Sequence, residues 1–387
     1  MSEIIRFEPF FEGYIFSFQG EILLVKDLGE YGENAFVVQK HNSAPINGLS
    51  VPTKVQIQFT NRCNLSCPHC YVSSGNPLPD EMTDEQLTRL LIHLRESGVL
   101  QIEWSGGEVF ARKNFFSFLE LSRELGFEQN VLTNGVAIGR KNGFAKTLWD
   151  YVYAVQVSMD GFEGRFDVWT GKKSWDSLVN AIKLLVLTKP SWGKVSISTT
   201  LDSRNIPDLP AITKLLSELS VDAWKLAKQV CSGRSQASES DGDKALFDSY
   251  PIIQQLRGEY SVSILHPFDK KQVNDETPWP VEWYTEPGAR CFMYISASGE
   301  VYPFPYLDGV SEFKGGNILF LSLDEIWRSR EFEYFRSVTR ESTECGGCQQ
   351  ICQLWMRSFN YFRKRCLSEV PIPHPNCPAR PHEAERR

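Results

Sequence analysis

The stretch "FTNRCNLSCPHCYVSSG", residues 59–75, sets Cys63, Cys67 and Cys70 within eight positions of a chain that holds ten cysteines. It follows directly on "VQIQF" (55–59), an apolar, β-branched run suited to a strand. Three thiolates on one loop suit a soft metal centre, either zinc or an iron–sulfur cluster. Structural zinc takes a fourth protein ligand, and neighbouring His69 is not an obvious one. A four-iron cluster held by three cysteines leaves one iron open to a substrate or cofactor.

Further strands follow at "QIEW" (101–104), "NVLT" (130–133), "AVQVSM" (154–159), "KVSISTTL" (194–201) and "AWKLAKQ" (223–229). Helical patterns separate them. In "MTDEQLTRLLIHLRESG", Thr83 and Gln86 have capping-box spacing, Leu87, Leu90, Leu91 and Leu94 form an apolar stripe, and Gly98 closes the helix. Amphipathic runs near 114–125, 174–188 and 207–219 complete six βα units, so the expected class is α/β, with a parallel sheet forming an open sheet or an incomplete barrel.

The polar oddities all fall at C-terminal strand ends: the three cysteines, "SGGE" (105–108), "TNG" (133–135), "SMDG" (158–161) and Asn205. Loops from neighbouring parallel strands converge at that edge, where barrels and open sheets build active sites. Taken singly, Gly106 and Gly107 would form a tight turn, Asp160 a cap and Asn134–Gly135 a turn pair. Trp104, Tyr71 and Trp283 could line a substrate pocket, but at 12% aromatic content a core role is the default.

The composition fits this picture. With 387 residues, 42% hydrophobic and 23% charged, the chain can bury a large core. A formal charge of −7 without a Lys/Arg stripe argues against nucleic acid as a partner. No targeting segment or membrane-length apolar run is visible, so a cytoplasmic protein without membrane attachment is expected, where clustered cysteines bind metal or do redox work.

The spacing of Cys63, Cys67 and Cys70, with aromatic His69 before the last, together with "SGGE", resembles the radical S-adenosylmethionine family over roughly residues 51–260. The resemblance implies an incomplete (β/α)6 TIM-like barrel, a 4Fe-4S cluster whose open iron chelates S-adenosylmethionine, and an external one-electron reductant. It further implies that Gly106, Gly107, Glu108, Asn134, Ser158 and Asp160 bind S-adenosylmethionine. No residue is assigned as catalytic acid. Thr170 stands where relatives often carry arginine, a contact that Arg165 or Arg234 would replace.

Cys291 opens "CFMYISASGEVYPFPY", read as a hairpin turning at Ser298–Gly299, and Cys345, Cys348, Cys352, Cys366 and Cys377 follow. Residues 285–380 thereby resemble the SPASM domain, which holds auxiliary iron–sulfur clusters. The match is incomplete, since Phe304 stands where relatives have a cysteine. Six cysteines cannot close two four-iron clusters, so one or two auxiliary clusters are expected, with Cys345, Cys348, Cys352 and Cys377 as a closed set and Cys291 and Cys366 for a second site. A zinc ribbon is the alternative. Cys231 reads as structural.

Residues 1–50 form a β-rich extension with a hairpin in "YIFSFQGEILLV", whose edge could dock a peptide by strand addition. The tail 381–387 reads as frayed. The resemblance implies a peptide maturase acting on a ribosomally made precursor peptide, with a separate leader-binding protein. Its outcomes would be crosslinking, epimerisation or tyramine excision, with a slight lean to excision. The alternatives are a sulfatase-maturing type of side-chain or small-molecule dehydrogenase, and a non-catalytic, metal-stabilised binding protein.

Overall fold

The computed structural model describes residues 4–8, 13–18, 21–25, 36–40, 43–45, 47–235, 239–269 and 287–337. Cys345, Cys348, Cys352, Cys366, Cys377 and Trp283 lie outside the described residues. Near the N-terminus, strands β1 (Ile4–Glu8), β2 (Gly13–Phe18), β3 (Glu21–Val25) and β4 (Phe36–Lys40) make a four-stranded sheet in the order β3-β2-β1-β4. The expected hairpin is its β2–β3 pair, with Phe18 opposite Glu21.

The main sheet is built on β5 (Lys54–Gln58), β6 (Gln101–Ser105), β7 (Glu128–Thr133), β8 (Ala154–Ser158), β9 (Lys194–Leu201) and β10 (Ala223–Lys228). These six run parallel in sequence order, as the strand-helix alternation predicts. The hairpin expected to turn at Ser298–Gly299 is present, with Tyr294 opposite Tyr302, but two pairings at the sheet's edges were not predicted. A three-residue strand, β11 (Ser263–Leu265), pairs parallel with β10. At the opposite edge β12 (Phe292–Ile295) pairs parallel with β5, and β13 (Glu300–Tyr302) and β14 (Gly316–Asn317) extend the sheet antiparallel.

Helices cover the outer face. Helix Asp84–Glu96 starts at the predicted capping box, Thr83 Oγ1 accepting from Gln86 N while Gln86 Oε1 accepts from Thr83 N, and buries Leu87, Leu90, Leu91 and Leu94. Val55, Ile57, Ile102, Trp104, Val155, Val157, Ile197 and Trp224 are fully buried. On the intervening positions, Gln156, Ser158, Ser198, Thr200 and Lys225 line a cavity. Parallel strands packed on both faces read as continuous apolar runs, so this alternation marks a polar, hollow interior. Trp104 is core, with Nε1 donating to Gln129 Oε1 at 2.8 Å.

Candidate active site

The cysteine loop leaves β5 and is held by backbone bonds at its base. Cys63 N donates to Gly75 O (2.9 Å), Gly75 N to Asn61 O (2.9 Å), and Asn61 N to Glu81 Oε1 (2.7 Å). From β6, Gly107 N donates to Thr60 O (2.8 Å) and Glu108 N to Arg62 O (2.9 Å). The approach is so close that a Cβ on Gly107 would lie 2.4 Å from Arg62 O, and one on Gly106 would lie 2.8 Å from Thr60 O. No side chain fits between the turn and the loop, which is the physical reason for two glycines here.

Cys63, Cys67 and Cys70 line a cavity of about 820 Å³ together with Ser105, Gly106, Gly107, Asn134, Ser158 and Asp160. Two thiols accept backbone N–H bonds: Leu65 N to Cys63 Sγ (3.4 Å) and Ser74 N to Cys70 Sγ (3.3 Å). Burial pushes the Cys63 thiol up to about 11, and pushes Cys67 higher still with help from the Asp160 carboxylate. Thiols so buried need a metal centre's positive charge to become thiolate ligands. Among the described residues no three His, Cys, Asp or Glu side chains converge on a single-ion site. A lone zinc would need its sulfurs drawn to about 3.8 Å apart at tetrahedral Zn–S distances. The three thiols, all on the wall of one cavity, would hold a four-iron cluster with one iron left open.

Asp160 is buried and tied at both oxygens, Oδ2 lying 3.0 Å from His69 Nε2 and Oδ1 accepting from Thr200 N at 2.7 Å. Trp169 stacks on His69 with ring centroids 5.0 Å apart. His69 Nδ1 is buried with no partner, an orphaned polar atom that a bound group would satisfy. Asn134 Nδ2 donates to Asn64 Oδ1 (2.7 Å), joining the β7 turn to the cysteine loop. Asn205 donates to the Asp160 and Thr200 carbonyls, so it braces the site from behind.

Glu108 sits differently from its neighbours. Its carboxylate is buried behind the β7 turn, accepting from Thr133 Oγ1 (2.8 Å), Asn134 N (2.8 Å) and Phe110 N (3.3 Å), and desolvation raises its pKa. Of the two arginines considered in place of Thr170, Arg165 is engaged with Asp208 at 2.8 Å, while Arg234 lines the cavity. Thr170 itself supports the cysteine loop, its carbonyl accepting from Ser66 N at 3.1 Å.

Other parts of the wall carry no motif. Lys225, open to the cavity yet enclosed by the barrel, donates to Gln156 Oε1 at 3.0 Å, and desolvation lowers its pKa. His266 accepts from Phe268 N at Nδ1 (3.1 Å), which leaves Nε2–H to donate to Ser249 Oγ (3.1 Å). A lysine in a strand and a histidine after a three-residue strand have no pattern that sequence reading could use. Phe304 is buried and stacks on Tyr306 at 5.2 Å, so the position that departs from the SPASM pattern is a packed aromatic on the cavity wall. Cys291 is half-buried, outside that wall, and its carbonyl accepts from Thr53 N at 2.8 Å. Cys231, at the start of the segment after β10, also lies outside that wall.

Residues 57–215 match the profile of the radical SAM superfamily, SAM being S-adenosylmethionine. The chain carries a radical SAM domain. Residues 288–349 match the SPASM iron–sulfur cluster-binding domain, so the two domains together imply a 4Fe-4S cluster, S-adenosylmethionine and auxiliary iron–sulfur clusters. The sporulation killing factor maturation protein SkfB of Bacillus subtilis is 28% identical over 208 residues, 54% of this chain and about half (49%) of that relative. Mycofactocin maturase MftC of Mycolicibacterium smegmatis is 26% identical, covering 78% of this chain and 76% of its own. The PqqA peptide cyclase of Streptomyces rochei is 26% identical, covering 78% and 83%. Among solved structures, Streptococcus suis SuiB bound to precursor peptide SuiA superposes with a TM-score of 0.65 at 16% identity, covering 92% of this chain and 93% of that one. The anSMEcpe enzyme with bound AdoMet and Kp18Cys peptide superposes with a TM-score of 0.62 at 19% identity, covering 83% and 92%. Both share the fold.

Proposed function

We propose that this radical SAM protein is a peptide maturase acting on a ribosomally made precursor peptide. One observation carries the reading: the cysteine triad, the Ser105–Gly107 turn, Ser158 and Asp160 all open on one cavity at the C-terminal edge of the parallel sheet. About 820 Å³ lies in the upper part of the usual range for ligand pockets, leaving room for a substrate side chain beside a cofactor. The names of SkfB, MftC and the PqqA cyclase support a peptide as substrate.

In this reading Cys63, Cys67 and Cys70 hold the 4Fe-4S cluster. Gly106, Gly107, Asn134, Ser158 and Asp160 line the S-adenosylmethionine site, and Glu108 serves its methionine end from behind the turn. When bound, the pair supplies one-electron cleavage of a sulfonium and a carbon radical that takes a hydrogen atom from the substrate. The chain's own work is positional. Asp160 and Trp169 fix the His69 ring, Asn134 ties the loop, and Leu132, Val230 and Phe304 on the cavity wall exclude water. Lys225 offers a cation to a polar substrate group. Cys291, Cys345, Cys348, Cys352, Cys366 and Cys377 would serve the auxiliary clusters. The edges of the N-terminal sheet, β3 and β4, would take the leader segment by strand addition, with a separate leader-binding protein and an external one-electron reductant completing a cytoplasmic system. Among the described residues no helix is long and apolar enough to cross a membrane.

The test is mass spectrometry of a short peptide encoded beside the gene, after incubation with reconstituted enzyme, any small neighbouring protein, S-adenosylmethionine and dithionite. Loss of two hydrogens would mean crosslinking, deuterium uptake from heavy water epimerisation, and loss of a tyramine-sized fragment excision. An unchanged peptide with continued 5′-deoxyadenosine formation would remove that peptide as substrate. Absence of 5′-deoxyadenosine altogether would sink the reading.

A further inference from the structure

Residues 231–235, "CSGRS", follow β10 and lie along the cysteine loop. Ser232 Oγ donates to Tyr71 O at 3.2 Å. Gly233, at φ +59°, comes so close that a Cβ there would stand 2.4 Å from the carbonyl oxygens of both Cys70 and Tyr71. Arg234 N donates to Cys70 O at 2.9 Å, its Nε to Cys67 O at 3.1 Å, and its Nη1 to Ser74 O. Every acceptor is a backbone carbonyl between residues 67 and 74. The segment is therefore a strap across the stretch that carries two of the three thiols.

The cation in this strap is placed unusually. Among the described residues no carboxylate lies within ion-pair distance of Arg234, so its charge is turned on carbonyl dipoles beside the cysteines rather than cancelled by a partner. The same side chain shares the cavity wall with all three thiols. Taking up one electron makes a thiolate-bound cluster more negative, and a fixed cation nearby favours that state more than the oxidised one.

We propose that Arg234 is a positioning residue that holds the cysteine loop and raises the reduction potential of the cluster bound there. The inference rests on the cluster reading given above. The electron is supplied by the external one-electron reductant, and Arg234 changes only how readily it is accepted. Lysine keeps the charge but lacks the planar fork, whereas glutamine removes the charge.

The experiment is a redox titration followed by electron paramagnetic resonance on the reconstituted full-length enzyme, without peptide. The parent, Arg234→Lys and Arg234→Gln are compared, and a Cys63→Ala/Cys67→Ala/Cys70→Ala variant identifies which signal belongs to this cluster. The expected result is a signal that appears at a more negative potential in Arg234→Gln and near the parent value in Arg234→Lys. An Arg234→Gln enzyme with full iron and an unchanged potential would overturn the proposal. So would an Arg234→Lys enzyme shifted as far as the glutamine variant. Should the glutamine variant fail to load iron, the lysine variant decides alone: an unchanged potential supports the proposal and a shifted one overturns it. A parent enzyme in which no signal depends on the triad would instead sink the proposed function, and this inference with it.

Discussion

His69 Nε2 and Asp160 Oδ2 stand 3.0 Å apart, joining the cysteine loop to the end of the fourth barrel strand. Asp160 is itself held by Thr200 N at 2.7 Å, so the imidazole beside Cys70 is aimed by a carboxylate that cannot turn away. Removing the carboxylate frees the ring and loosens the cavity wall. We expect Asp160→Ala to weaken S-adenosylmethionine binding by about tenfold, the worth of one buried hydrogen bond to a charged group. Asp160→Asn, which keeps one acceptor, should lose less. Equilibrium dialysis on iron-loaded enzyme measures this, and an unchanged affinity in the alanine variant would refute the role.

The glycines of the β6 turn give a steric prediction. Gly107→Ala would set a methyl 2.4 Å from Arg62 O and 2.7 Å from Asn61 O, and neither backbone group can move without shifting the cysteine loop. The variant should lose about 1–3 kcal/mol of stability through overpacking, and iron incorporation should fall with it. Gly164→Ala is the matched control, because nothing lies within 4 Å of a Cβ there. Iron and acid-labile sulfide assays on both proteins separate a local wedge from a general intolerance of substitution.

Replacing Cys63, Cys67 and Cys70 together with alanine should remove about four irons per chain and abolish 5′-deoxyadenosine formation. The three side chains line a cavity and are not part of the apolar core, so circular dichroism should keep its native helical signal. Unfolding of the triple variant, with no cleavage activity in the parent, would favour a metal-stabilised scaffold.

Stability should also depend on pH through His266. Burial holds its pKa down at about 4, below the ordinary histidine value of 6.5, so the unfolded chain takes up a proton in a range where the native state does not. Its contribution is therefore harmless above about pH 6.5 and grows as the pH falls towards 4, reaching at most on the order of 3 kcal/mol of destabilisation. His266→Gln should flatten the fall in melting temperature between pH 7 and 5. Parallel profiles for the variant and the parent would rule this out.

The six barrel strands could be read from the sequence because each is a short apolar or β-branched run with a helix after it, and helix Asp84–Glu96 because its cap and stripe are both local signals. The cysteine triad and Gly106–Gly107 were legible for a related reason, since spacing on one loop survives folding unchanged. Lys225, His266 and the Arg234 strap were not assigned in this way. Each depends on which strand ends meet in space, and a single lysine, histidine or arginine has no period to betray it. β11 is three residues long, too short for an alternation to show. The pairing of β12 with β5 is equally silent, because a strand's composition does not name a neighbour more than 200 positions away.

That last pairing has a practical side. Phe292 to Ile295 lie in register with Lys54 to Ile57, so the strand that launches the cysteine loop is an interior strand only while the C-terminal region is present. A chain cut before residue 287 would strip β5 of its neighbour and leave a row of unpaired amides and carbonyls beside buried Val55 and Ile57. Bare edges of this kind recruit other chains. Such a fragment should tend to aggregate, and the intact hairpin acts, in effect, as a built-in chaperone for the barrel's first strand.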